Sequence, residues 1–276
     1  MLLGFTLSPH AQLEQQKKLS AKRPVDFDSY IDDLRLDCVP YFVKAGAESG
    51  VTSIENLMYE ANFKGTMDFI ATYIYKYPVR EITKWLSRYS FITPNFVTTL
   101  SILTSFAIPV LFALGYIGWA ILAGWTMFIL DSVDGKLARL TVRLSKTAGI
   151  IEHATSSPAI FFWFVALGWF FSEGHLLNFS DRAVISAWTL MILYWTDKSI
   201  NGFFRARYKR DMYDFRRIDR LFHLIACRRA VIMLIITIGY FANHPREGFY
   251  FVAVWMIVTF VFHLFRYFWI RSTARS

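Results

Sequence analysis

Charge is scarce in this chain. Asp, Glu, Lys and Arg make up 18% of its 276 residues while hydrophobic residues reach 55%; a soluble domain carries about a quarter charged residues. A sequence with so much to bury and so little charge excludes disorder for most of its length. Cysteine is nearly absent: Cys38 and Cys227 stand far apart, in no CxxC or metal-ligand spacing. That excludes a disulfide scaffold and leaves two buried or lipid-facing thiols. His10, His175, His223, His244 and His263 also lack metal-ligand spacing. There is no repeat of fixed period and no low-complexity tract. The strict alternation of barrel strands is missing too, so helices are the only elements left to cross a bilayer.

What is present is apolar, aromatic and basic. Lys and Arg number 30 against 21 Asp and Glu, a formal net charge of +9. In a soluble protein this excess points to nucleic acid; in a hydrophobic chain it points first to cytoplasmic loops and anionic lipid. Phe 27, Tyr 14 and Trp 9 suit the aromatic belts of a membrane interface.

Residues 1–66 are polar and mixed, broken by Pro24 and Pro40, with a short helix expected in VTSIENLMYEANF. Residues 67–92 form an expected interfacial helix: aromatic and apolar side chains recur at helical spacing, and Lys76, Arg80, Lys84 and Arg88 make the basic face. Thr93-Pro94 then reads as a helix start, Thr as N-cap and Pro at the first helical position. Residues 95–118 carry no charge, enough to cross a ~30 Å hydrocarbon core. Further apolar runs cover 119–130, 148–171, 183–200, 230–243 and 248–269. The expected fold is all-α: a polytopic membrane domain over 93–271 of about six transmembrane helices, preceded by an interfacial or cytoplasmic helical extension. Lys and Arg concentrate before the first run, between the second and third, and between the fourth and fifth. This bias puts both termini in the cytoplasm. The stretch 205–222, RARYKRDMYDFRRIDRLF, interleaves basic and aromatic residues. Alone it reads as a strand-stacking nucleic-acid segment; between two spans it reads as an interfacial helix on anionic lipid. The second reading is favoured, with no nucleic acid among the expected partners. Asp197 and Lys198 read as an internal ion pair or a substrate contact. Ala120 and Gly124 read as a helix-packing pair.

Charged residues within apolar spans are functional candidates by default. Asp131 and Asp134, at the end of the second run, are three apart and share a helix face. Gly135 and Ala138 remove bulk beside them. On the third run Glu152 and Ser156 share a face, with His153 adjacent. Brought together, Asp131, Asp134, Glu152 and Ser156 form an oxygen-rich cluster that suits Mg²⁺ or Mn²⁺, with Arg139, Arg143 and Lys146 to neutralise a diphosphate. The plainer alternative is that the aspartates are helix-end caps paired with Lys136 and Arg139.

The stretch Asp131-Ser132-Val133-Asp134-Gly135-Lys136-Leu137-Ala138-Arg139 resembles the opening of the CDP-alcohol phosphotransferase signature, D-x2-D-G-x2-A-R-x8-G-x3-D-x3-D. The first half agrees at every fixed position. Thr93-Pro94-Asn95 with Thr98 also resembles the start of that family's first span. The second half departs: counted without a gap, the glycine falls on Ala148, the third aspartate on Glu152 and the fourth on Ser156. One inserted residue restores Gly149 but puts His153 and Ser157 at the aspartate positions. In the ungapped form Glu152-His153 resembles the Asp-His of choline- and ethanolamine-phosphotransferases. The resemblance implies an enzyme that transfers a substituted phosphate from a CDP-linked donor to an alcohol acceptor, releasing CMP, in the synthesis of phospholipid or a related polar lipid. Asp131, Asp134 and Glu152 are then the implied metal ligands for Mg²⁺ or Mn²⁺. Gly135, Ala138 and Arg139 line the CDP site. Glu152, His153 and Ser156 hold the catalytic positions, in a cytoplasm-facing cavity. Members of the family often form homodimers. Because Ser156 cannot serve as a base unaided, three readings stay open: another base such as His153, a more acidic acceptor, or a catalytically degenerate member serving as a membrane binding or scaffold protein.

Overall fold

An apolar helix cannot leave backbone groups unpaired in lipid, and the chain answers with long helices joined by short turns. The computed structural model describes residues 30–31, 36–37, 56–60, 69–89, 91–141 and 146–273, with the backbone alone over 30–31, 36–37, 146–157 and at 273. Two compact units divide the chain, Met1–Gly65 and Thr66–Ser276. In the first, β1 (Tyr30–Ile31) pairs antiparallel with β2 (Leu36–Asp37), and a helical turn covers 56–60. Among the described residues the second unit consists of helices joined by turns. Its helices are α1 (Phe69–Tyr73), α2 (Lys76–Ser87), α3 (Pro94–Ala113), α4 (Ile117–Leu140), α5 (Lys146–Phe171), α6 (Arg182–Tyr208), α7 (Arg217–Ile225), α8 (Arg229–Phe241) and α9 (Pro245–Thr273).

Among the described residues, α3, α4 and α9 are long and apolar enough to cross a membrane. A fourth span results if α7 and α8, which meet at a bend of 43°, count as one. Where its side chains are described, α5 is a shorter apolar helix, Pro158–Phe171. Leu100, Leu103, Phe106 and Val110 of α3 and Val254, Val261, Phe265 and Phe268 of α9 are exposed, an apolar outer surface of the kind that suits a bilayer.

Four boundaries differ from the sequence expectation. The interfacial helix over 67–92 is two helices, because Pro78 has no N–H to give and its ring opposes a continuous helix at residue 74. The uncharged run 95–118 is cut at Gly115, whose φ of +79° closes the α3–α4 turn. Its last residues therefore open α4. That helix does not stop at residue 130 but carries the whole acidic motif to Leu140. The 205–222 stretch is not one helix: α6 runs on to Tyr208, Lys209 takes a left-handed conformation that ends it, and α7 begins only at Arg217. The Thr93-Pro94 start holds, with the Thr93 hydroxyl accepting from the Phe96 amide at 3.3 Å.

The packing places the acidic motif at a junction. α3 lies against both α4 and α5, α9 against α6 and α8, and α2 against α4. Phe112 of α3, Phe128 of α4 and Trp163 of α5 meet edge to face, with centroids 6.4 and 6.3 Å apart and all three buried. A separate small core joins Val79 and Leu86 of α2, Val97 of α3, and Val133 and Leu137 of α4. Ala120 is fully buried, and a side chain at Gly124 would strike Met233 of α8, so this pair serves packing within the chain. At the α8–α9 hairpin Gly239 and Gly248 bring two backbones together: a Cβ on Gly239 would lie 3.0 Å from the Gly248 Cα and from the His244 carbonyl oxygen. Gly239→Val therefore forces the hairpin apart. The expected cost is ~1–3 kcal/mol, measured as a lower thermal unfolding midpoint of the purified protein in detergent.

Candidate active site

Asp134 is the centre of the site. It is 3% exposed, deep in a helix that is otherwise apolar over most of its length. Its Oδ2 accepts from the Thr98 hydroxyl at 2.7 Å, and its Oδ1 from the Gly135 amide at 2.5 Å. Thr98 lies one turn into α3, where its hydroxyl is also 3.0 Å from the Pro94 carbonyl. A hydroxyl has one proton, and the nearer carboxylate takes it as a charge-assisted bond. The N-cap at Thr93 thus fixes where α3 begins, and with it the register that aims Thr98 at Asp134. Thr98→Val removes the donor and keeps the shape. A site dependent on the Asp134 carboxylate should lose about 10–100-fold in activity or metal affinity, with Thr98→Ser restoring it.

Asp131, one turn earlier, is partly buried and pairs with Arg229 of α8 at 3.4 Å. Arg228 is the N-cap of α8 and Arg229 its first residue. The positive end of a helix disfavours cations, so two arginines there mark a place prepared for anions. Lys198 of α6 lies within electrostatic reach of both, and Arg139 within reach of Asp134. Beside Gly135 the space is open, and an added Cβ would meet nothing closer than the Arg139 guanidinium at 3.6 Å. Ala138 is half-buried one turn further on. The arrangement is two carboxylates, a bare backbone and a rim of cations. It can bind a cation on one side and phosphoryl oxygens on the other.

A second polar layer flanks this site. Asp197 of α6 accepts from His263 of α9 at 2.7 Å and from the side chain of Asn201. Its partner is thus a histidine far along the chain. Lys198 instead lies over the Trp195 ring at 5.9 Å. In the segment after α6, Asp211 pairs with Arg205 at 2.5 Å and accepts from the Tyr213 hydroxyl at 3.0 Å. Burial, and next the Asp211 charge, push the Tyr213 phenol up to about 12, so it is a hydrogen-bond donor at any physiological pH. The Tyr213 ring lies against His223 at 4.0 Å, tilted by 33°, and His223 Nε2 is 2.8 Å from Arg228 Nη1. A guanidinium only donates, so His223 accepts there and is neutral.

Of the residues expected at the site, Asp131, Asp134, Gly135, Ala138 and Arg139 lie together on α4. The backbone of α5 includes Glu152, His153 and Ser156, whose side chains lie outside the described residues, as do Arg143 and the Lys146 side chain. Among the described residues no group of three or more His, Cys, Asp or Glu side chains could hold a metal ion. Sequence reasoning missed the Asp131–Arg229 and Asp197–His263 pairs. The available signal was two arginines set directly before an apolar run. Compared with known proteins, the chain matches no family model and no curated protein.

Proposed function

We propose that the chain is an integral membrane CDP-alcohol phosphotransferase with Asp131 and Asp134 at its active site. In this reading six apolar segments, carried by α3–α6, α8 and α9, cross the bilayer, the 13 residues of α8 reaching across only together with the chain that flanks them. Both termini and the site face the cytoplasm in it, a placement that the distribution of Lys and Arg favours. The observation that carries the proposal is the α4 pair: two carboxylates one turn apart, one of them buried, inside a sequence that agrees with the first half of the family signature at every fixed position.

A buried carboxylate beside a second one is costly unless positive charge joins them, and an all-oxygen donor set suits Mg²⁺ or Mn²⁺. Asp131, Asp134 and Glu152 would hold the metal, which when bound supplies Lewis-acid charge to the donor's diphosphate. Thr98 holds the Asp134 carboxylate in its orientation. Gly135 and Ala138 leave the α4 backbone open to the donor, and Arg139 and Arg229 give guanidinium groups to its phosphoryl oxygens. The acceptor hydroxyl loses its proton to a base on α5, for which His153 is the candidate. Its oxygen bonds to the phosphorus distal to cytidine, and the bond to the CMP oxygen breaks, its electron pair leaving with CMP.

The test is CMP release by the full chain in nanodiscs. Mg²⁺ or Mn²⁺ is supplied with CDP-diacylglycerol, CDP-choline or CDP-ethanolamine, each with pooled lipid and polyol acceptors. Metal-dependent CMP from one donor supports the reading and names its branch. No CMP from any donor, together with no metal-dependent nucleotide binding, would refute it. Ser156 at the base position supports a second reading, a catalytically degenerate relative acting as a membrane binding or scaffold protein. Activity created by Ser156→Asp in an otherwise silent chain would favour that reading.

A further inference from the structure

Away from the acidic motif, α1, α7, α8 and α9 enclose an open groove of about 200 Å³. Phe69 and Ile70 of α1, Leu224 of α7, Leu234 of α8, and Phe251 and Trp255 of α9 are among its walls, and every lining side chain is apolar. It is smaller than the ~300–1,000 Å³ that encloses a compact drug-sized ligand, and its open apolar form fits a flexible chain.

The groove sits at the α7–α8 elbow. The Trp255 indole N–H donates to the Ile225 carbonyl at 2.8 Å, which satisfies a carbonyl at the end of α7 and ties the elbow to α9. On α7, Ile218, Leu221 and Ile225 form an exposed apolar stripe, while Asp219 and His223 on the opposite side are buried. An exposed apolar stripe flanked by arginines, on a helix whose other side is packed into the protein, suits a membrane interface. In helical projection Leu224, which lines the groove, falls between Arg217 and Arg220 one to two turns before it. Both arginines are exposed, and neither forms an ion pair among the described residues.

We propose that this groove holds one acyl chain of an anionic phospholipid whose headgroup rests on Arg217 and Arg220. Two exposed cations on the helix that walls a wholly apolar trough complement a lipid with an apolar chain and a negative headgroup. A zwitterionic lipid offers the same chain but no net charge to the arginines. The proposal does not depend on the transferase reading.

The full chain, purified and delipidated in detergent, is titrated with phosphatidylglycerol and phosphatidylcholine of identical chains by native mass spectrometry. The first phosphatidylglycerol should bind at least tenfold tighter. Each basic residue near an anionic headgroup counts about fivefold, so Arg217→Gln with Arg220→Gln should bring phosphatidylglycerol down to the phosphatidylcholine level. Leu234→Trp, which fills the groove, should weaken both lipids. Equal affinities in the parent chain would overturn the proposal. So would a Leu234→Trp chain that keeps its preference and affinity, because the lipid would then merely adsorb to a basic helix. Should Leu234→Trp not fold, brominated-chain phosphatidylglycerol should quench a fluorescence component that Trp255→Phe removes; quenching unchanged by Trp255→Phe rejects the groove. Glycerol phosphate should not compete, and competition would show a headgroup site without a chain site.

Discussion

Asp134→Asn should leave a folded protein that releases CMP at least about a thousandfold more slowly than the parent chain. The substitution keeps the shape of the side chain: its one oxygen still accepts from the Gly135 amide, and its Nδ2 donates to Thr98 Oγ1, whose proton then goes to the Pro94 carbonyl, so the α3–α4 contact survives. What is lost is the negative charge, in a place 3% exposed where charge counts far more than in water. Removing a single preorganised electrostatic group from an active site costs roughly 10²–10³, and loss of a metal ligand adds to that. Asp131→Asn should be damaging but milder, since Asp131 is more exposed and shares its charge with Arg229. Steady-state CMP release, with the elution profile and thermal midpoint as folding controls, decides it. Equal activity of parent and Asp134→Asn would remove α4 from the chemistry.

Asp219→Ala should destabilise the protein by ~3–5 kcal/mol, the cost of leaving a buried charge without its partner. Asp219 and Arg266 are 3% and 6% exposed and form a two-bond fork, Nε to Oδ1 at 2.5 Å and Nη2 to Oδ2 at 2.7 Å. The same carboxylate accepts from the Arg216 amide at 3.1 Å and so caps α7. The Arg266 and Arg216 guanidinium groups lie over the Trp269 ring, at 4.5 and 4.0 Å. One aspartate therefore starts a helix, pairs the last turns of α9 with it and organises two cations around an indole. The double change Asp219→Leu with Arg266→Leu should recover much of the loss, because neither charge then stays buried alone. Chemical or thermal unfolding in detergent separates these outcomes.

The sequence discloses what is local and hides what is distant. Thr93-Pro94 announces the start of α3 because both residues act within one turn. The two aspartates announce themselves because charge in an apolar run is rare. The end of the first run is hidden because nothing polar sets Gly115 apart from its neighbours; the turn comes from a backbone conformation, not from polarity. Asp131 finds Arg229 ninety-eight positions away, and Asp197 finds His263 across two helices. Apolar helices show no periodic polar side from which their facing can be read, so such pairs become visible only once the helices are placed. Asp197 and Lys198 invite pairing because they are adjacent, yet neighbours on a helix point about 100° apart.

The small core shared by α2, α3 and α4 has a mechanical consequence. Val79 and Leu86 of α2 rest on Val133 and Leu137, the residues that flank Asp134 on α4. The opposite side of α2 shows Tyr77 and Trp85 to the outside, side chains that settle at a headgroup boundary. With α2 anchored there, a thicker or thinner bilayer pulls on a lever whose short arm is the stretch of α4 bearing the carboxylates. In the transferase reading, hydrophobic mismatch, at fractions of a kcal/mol per ångström, would then reach the carboxylates of α4, and lipid chain length would act on turnover as a variable separate from headgroup identity.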